Sequence, residues 1–309
     1  KNVKYDGLLK TNEAVYDLLT LSTALEQTIE GDSKSFNLNY IDWRNTGRNK
    51  FHAAVEFSVE KSRNTETVRP DIVLFVNGIP FCVIECKAPQ IGLEQAISQA
   101  ISNQNDDHIP RLFVYVQAIL AVNKNAAMYA TAGTAAKFWA IWKEANLEDG
   151  SREHAALQKT VNEALPKDTA EKLKEIFGLP DGFFNNDRLV TEQDKALYSL
   201  CRPERLLELA WKFTLFDGGI KKIARYQQYF VIKSTLQRVK QFENQNARKG
   251  GIIWQTQGSG KSLTMVLLAR NLALDPDLLN PRIVLVTDRD DLDRQLGNTG
   301  RIESAVCFL

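Results

Sequence analysis

Two α/β units in series are the fold that the sequence predicts: a mixed-sheet domain, then part of a parallel one. Three observations lead there. Strand-like runs, a helix and further apolar runs follow one another within the first 145 residues, the pattern of a mixed α/β domain. A charged, helix-prone stretch with few large apolar residues comes next, from Glu148 to about Asp194. After it, a short apolar strand, a glycine-rich loop, a helix and a second strand stand in the order of a βαβ unit. The expected domain limits are therefore 1–147, a helical connector over 148–202, and an incomplete third unit over 203–309.

The elements can be justified in order. Val15, Leu18, Leu19 and Leu25 form one stripe, which predicts a helix over Asn12–Glu30. Strands are expected at Phe51–Glu60, Asp71–Val76 and Ile79–Lys87, then a helix over Leu93–Asn103. Apolar runs at Leu112–Val122 and Phe138–Trp142 complete the first unit. Leu179-Pro180-Asp181-Gly182 marks a turn in the connector, and apolar periodicity returns in Leu206–Phe216. A longer helix around Ile220–Glu243 leads to a short buried strand, Gly251–Trp254. A helix over about Lys261–Leu274 and a strand at Ile283–Val286 follow. No internal repeat or low-complexity segment interrupts this order.

Composition bounds the function classes. With 44% apolar and 25% charged residues, the chain reads as a soluble globular protein. Its 39 basic residues nearly cancel 38 acidic ones, which excludes a wholly basic surface but not a basic cleft. No run of about 18 apolar residues suggests a membrane span, and the polar start is unlike a secretory leader. Four cysteines without ligand spacing and three scattered histidines argue against zinc and for free thiols in a reducing cytoplasm. The chain lacks an initial methionine and stops soon after its last strand and helix, so it reads as a piece of a longer protein.

Two constellations carry chemistry. In the first, Pro70-Asp71 opens one strand, and Glu85-Cys86-Lys87 closes the next. Cleaving a phosphodiester needs a cation to activate water and neutralise developing charge, and Mg²⁺ favours oxygen ligands such as paired carboxylates. Lys87 shares a face with Glu85 because side chains alternate along a strand, and there it could hold the water or a phosphate oxygen. Register is the test. Asn77-Gly78 suggests a two-residue turn, which would set Asp71 opposite Ile84 and rotate Glu85 to the other face. The carboxylates meet only with a looser turn or a bulge, for which the neighbourhood of Pro80 is suited.

In the second, Gln257-Gly258-Ser259-Gly260-Lys261-Ser262 joins the short strand to a helix. Backbone N–H groups of such a loop and the helix amino terminus cradle phosphates. Lys261 would reach the β- and γ-phosphates of ATP, and Ser262 would take Mg²⁺. Gln255 stands where the strict pattern has its first glycine, and no acidic D-E-x-[DH] box follows.

The first constellation resembles the PD-(D/E)xK nuclease superfamily and, more narrowly, the amino-terminal domain of type I restriction enzyme R subunits. The second resembles a RecA-like, superfamily 2 helicase-type motor domain. The first resemblance implies a glutamine on a helix about a dozen residues after the lysine, matched by Gln99, with a tyrosine four residues later. Asn103 occupies that tyrosine position. The run Leu112–Asn123 is similar to the family's later strands and is assigned mainly to the core. The second resemblance implies a glutamine that reads adenine, which Arg225-Tyr226-Gln227-Gln228 matches, with Gln228 the better candidate. Val286–Leu292 with Gln295 is similar to a motor motif along the DNA track.

Taken together, the resemblances imply an ATP-dependent, site-specific type I deoxyribonuclease that translocates double-stranded DNA and cuts it with Mg²⁺. Sequence choice and methylation would belong to specificity and modification subunits. Another nuclease–helicase fusion, of the type III restriction or repair kind, is the alternative enzyme; there the nuclease usually follows the motor. A degenerate, non-catalytic DNA-binding module is the other.

Overall fold

The computed structural model describes residues 4–284 except 186, 245, 246 and 257. Helix α1 is Leu8–Leu21, and the hairpin β1 (Thr23–Ile29) and β2 (Asp32–Leu38) follows it. The expected helix over 12–30 therefore ends early. Ser22 adopts a positive φ of 61°, which breaks the helix, and Glu30-Gly31, with φ 54° and 91°, reverses the chain. Leu25 and Ile29 fit a helical stripe, but they also fit the alternation of a strand. In the hairpin they share a face with Phe36 and Leu38, and all four are exposed.

The central sheet contains β3 (Phe51–Val55), β6 (Ile72–Val76), β7 (Ile79–Cys86), β8 (Ala118–Asn123) and β9 (Ala126–Ala130), in that spatial order. A two-residue ladder, β4 (Val59–Glu60) with β5 (Thr67–Val68), lies between β3 and β6 in sequence. Within the five-stranded sheet, among the described residues, only the β7–β8 pair is parallel. Its crossover carries α2 (Leu93–Ser102) and the single turn α3 (Pro110–Phe113). The expected helix over 93–103 is present, whereas residues 112–117 are not strand. Ala96 and Ala100 are fully buried, so small side chains let α2 lie close on the sheet.

The charged stretch forms helices α4 (Arg152–Val161), α5 (Lys167–Phe177) and α6 (Glu192–Cys201). Thr191 and Asp194 cap α6 reciprocally. Next come α7 (Pro203–Lys212), hairpin β10 (Thr214–Asp217) with β11 (Ile220–Ile223), α8 (Tyr226–Val239) and α9 (Lys261–Leu274). The long helix expected from Ile220 begins only at Tyr226, because Gly218-Gly219, both at positive φ, fold 214–223 into a hairpin. The expected buried strand 251–254 is not formed: Ile252 is 94% and Trp254 91% exposed. No strand among the described residues pairs with it, and an apolar run without a ladder has nothing to bury it. Residues 283 and 284 are not in a strand; 285 and 286 lie outside the described residues, as does the motif at Val286–Leu292 and Gln295.

The sheet is covered on both faces. One face, with Val73, Val83, Ile119 and Ala121, packs against α2. The other, with Cys82, Ile84, Leu120 and Val122, shares a single apolar cluster with Leu206, Leu209, Ile232 and Leu267 from the later helices. Polar contacts reinforce this join. Tyr16 donates its hydroxyl to the carbonyl oxygens of Ala210 and Thr214 at 3.0 and 2.9 Å, and Tyr129 donates to Ala224 O at 2.7 Å. Arg205 pairs with Glu144 at 2.6 Å and stacks over Tyr229 and Trp142. No described helix is long and apolar enough to cross a membrane.

Candidate active site

The hairpin β6–β7 turns at Asn77-Gly78, whose φ values of 51° and 81° are those of a two-residue type I′ turn. Val76 pairs with Ile79 and Phe75 with Pro80, but Leu74 pairs with Cys82. Phe81 is the extra residue of a β-bulge. Both Phe81 and Cys82 consequently enter the same core cluster, and the alternation beyond them is shifted by one. Ile72 then pairs with Ile84, so the next position, Asp71, comes level with Glu85. The tight turn and the meeting of the carboxylates coexist because the bulge corrects the register.

Glu85 is fully buried beneath α2. Asp71 is half-buried and accepts the Cys86 backbone N–H at 2.7 Å through Oδ2, which fixes its carboxylate at the strand end. Helix α2 presents Gln99 and Asn103, one turn apart, to the same edge. Lys87 donates to Gln99 Oε1 at 2.6 Å, and Asn103 Nδ2 donates to Glu85 Oε1 at 3.1 Å. Glu85 Oε2 is buried without a hydrogen-bond donor among the described residues. Burial, reinforced by the charge of Asp71 and opposed by Lys87, pushes the Glu85 carboxyl up to about 8. Burial likewise pushes the Cys86 thiol up to about 11, so it is no thiolate at neutral pH.

The structure thus brings Asp71, Glu85, Lys87 and Gln99 together, and it adds Asn103. Spacing alone could not announce that asparagine as a partner of Glu85, since the contact depends on how α2 crosses the sheet. Among the described residues, no group of three or more His, Cys, Asp or Glu side chains could hold a metal ion. The acidic donors here are two.

The glycine loop stands at the amino terminus of α9. Gly258 and Gly260 have φ values of 78° and 84°, and Ser259 folds back on Thr256 O through its N–H and hydroxyl. Gln257 lies outside the described residues. Lys261 and Ser262 form the first turn of α9, with Lys261 exposed. Gln228, buried in the first turn of α8, accepts the Arg225 N–H at 2.9 Å and donates to Gly260 O at 3.2 Å. Gln255 donates to Thr264 Oγ1 at 3.2 Å, tying the segment before the loop to α9. The sequence placed Arg225 and Gln228 near a nucleotide, and the structure places Gln228 against the loop itself, with both ends of its amide engaged.

Comparison with known proteins gives two matches to families. Residues 1–138 match the family described as type I restriction enzyme R protein N terminus, and residues 227–305 match SWI2/SNF2 ATPase. The type I restriction enzyme HindI endonuclease subunit of Haemophilus influenzae is 31% identical over 94% of this chain and 25% of its own length. A putative type I restriction enzyme endonuclease subunit, MjaIXP of Methanocaldococcus jannaschii, is 29% identical over 92% of this chain and 26% of its own. One from Staphylococcus aureus strain COL, SauCOLORF180P, is 23% identical over 85% of this chain. The chain spans about a quarter of the length of these curated relatives.

Proposed function

Since the chain belongs to the type I restriction enzyme R protein family, we propose that it joins a PD-(D/E)xK-type DNA-cleaving site to the start of an ATP-driven, RecA-like motor. The observation that carries the cleavage reading is the bulge at Phe81, which brings Asp71 and Glu85 together beside Lys87. A regular two-residue hairpin would have separated them.

The donor set fits one hard divalent cation. Two adjacent carboxylates repel one another, and the buried Glu85 Oε2, which no donor among the described residues reaches, calls for either a proton shared with Asp71 or a cation. Asp71 and Glu85 would hold Mg²⁺, which when bound supplies an activated water and neutralises charge on the phosphate. Lys87 is held at the strand end by Gln99. From there its ammonium can turn to the scissile phosphate and stabilise the charge that grows on it.

In the second half, the amino terminus of α9 and the backbone of Gly258–Gly260 would receive the phosphates of ATP. Lys261 would neutralise them, and Ser262 would contribute its hydroxyl to the accompanying Mg²⁺. Gln228 braces the loop through Gly260 and would read adenine by exchanging one of its present hydrogen bonds for the base. In this reading, residues 1–147 form the nuclease unit, 148–202 the connector and 203–309 the motor start, with the first and last sharing a core. The whole protein would translocate double-stranded DNA in the cytoplasm, together with modification and specificity subunits.

Two variants of the full-length enzyme test the reading. Lys87→Ala should abolish cutting and leave ATP turnover unchanged. Lys261→Ala should stop ATP turnover and, with it, translocation. Persistent cutting in the first variant would remove the nuclease assignment, and unchanged turnover in the second would remove the motor.

A further inference from the structure

Glu85 is held asymmetrically. Its Oε1 accepts from Asn103 Nδ2 at 3.1 Å, whereas its Oε2 is buried with no hydrogen-bond donor among the described residues, the Asp71 carboxyl being its acidic neighbour. Asn103 is itself buried and its backbone is pinned on both sides: its N–H donates to Gln99 O at 2.9 Å, and its carbonyl accepts the Ile109 N–H at 3.1 Å. The side chain therefore reaches Glu85 from a fixed base at the end of α2. Gln99, one turn earlier, engages Lys87 in the same way.

We propose that Asn103 is a positioning residue that holds Glu85 by Oε1 and so reserves Oε2 for a divalent cation. This rests on the nuclease reading above. An amide suits the task because its Nδ2 donates and carries no charge. Aspartate there would add a third negative charge, and an apolar side chain would leave Oε1 without a donor. Glu85 would then be free to turn toward the Lys87 ammonium, whose charge already acts on it, and the oxygen meant for the metal would be spent on the lysine. Asn103 and Gln99 thus keep the carboxylate and the ammonium apart by giving each its own neutral partner.

The test uses the full-length protein, with Mg²⁺ as the probe in thermal unfolding and in DNA cleavage. Wild type should be stabilised by Mg²⁺, and Glu85→Gln should not respond. Asn103→Ala and Asn103→Leu, the second branched like asparagine but larger and without a donor, should need at least about ten times more Mg²⁺ for half-maximal stabilisation, the loss of about 1.4 kcal/mol of binding. Half-maximal cleavage should require the same increase, with the rate recovering at saturating Mg²⁺. A purely structural role would lower the saturated rate and leave the Mg²⁺ requirement unchanged. Wild-type Mg²⁺ dependence in either folded variant, or failure of both to fold, would overturn the proposal. Equal Mg²⁺ responses of wild type and Glu85→Gln would overturn the cleavage site itself.

Discussion

Gln228 and Gly260 touch across 32 residues of sequence: the glutamine amide donates to the glycine carbonyl at 3.2 Å, and a Cβ on Gly260 would lie 2.8 Å from that amide nitrogen. Gly260 also has φ +84°. The glycine is therefore required by its own backbone, and a side chain there would also displace the Gln228 amide.

Gly260→Ala should lower stability by about 1–3 kcal/mol, the usual cost of forcing a side chain into that region. It should also weaken binding of a non-hydrolysable ATP analogue. Denaturant unfolding and calorimetric titration would measure the two effects. A fully stable variant would show that the contact yields without cost.

The Glu85 carboxyl has a folded-state value of about 8, above its ordinary 4.5. The folded protein consequently holds a proton that the unfolded chain releases sooner. In metal-free solution its contribution to stability is complete below about 4.5 and is lost as pH rises through about 8. Glu85→Gln should remove that slope and be the more stable protein at pH about 8.5 by a few kcal/mol. Chemical unfolding in chelator across this range decides it; parallel curves would contradict the burial of the carboxylate.

Arg205 and Glu144 form a buried ion pair, and Glu144 also accepts the Trp142 indole N–H at 2.8 Å. Arg205→Ala strands a buried carboxylate and should cost about 3–5 kcal/mol. Changing both, Arg205→Met with Glu144→Gln, should recover most of that loss. Unfolding midpoints of Arg205→Met, Glu144→Gln and the double variant give the coupling, and additive losses would argue against it.

Lys221 is buried with no carboxylate partner among the described residues and donates to Gln117 Oε1 at 2.7 Å and to Val116 O at 3.2 Å. Burial lowers its pKa well below 10.5, so the unfolded chain binds the proton more tightly. Stability from this group is present at alkaline pH and lost as pH falls through the folded value. Relative to Lys221→Met, wild type should gain stability as pH rises toward about 10. A constant difference between the two would refute this.

Some of these features could be read from the sequence, and the reasons are local. Asn77-Gly78 announces its turn because few other residues accept two successive positive φ values. Leu93–Ser102 and Lys261–Leu274 appear where their flanking glycines and apolar spacing put them. The bulge was visible only as a requirement, since nothing in Pro80-Phe81-Cys82 says which residue will be extra. Leu25 and Ile29 suit a helix and a strand equally, and Ser22 decided between them. Ile252 and Trp254 look like core residues to any scale of hydrophobicity, but burial depends on what comes to lie against them. Asn103 on Glu85 and Tyr129 on Ala224 are contacts between distant segments, which spacing cannot convey.

The shared core of the two halves also bears on how such chains diverge. Ile84 and Leu120 from the sheet lie in one cluster with Leu206 and Ile232 from the later helices. A substitution on either side of that seam changes the fit of the other, so the halves should drift as a pair. Chimaeras that splice the first 147 residues of one relative onto the remainder of another would inherit a mismatched seam. Lineages that exchange segments should therefore keep this one whole, as a single unit of inheritance.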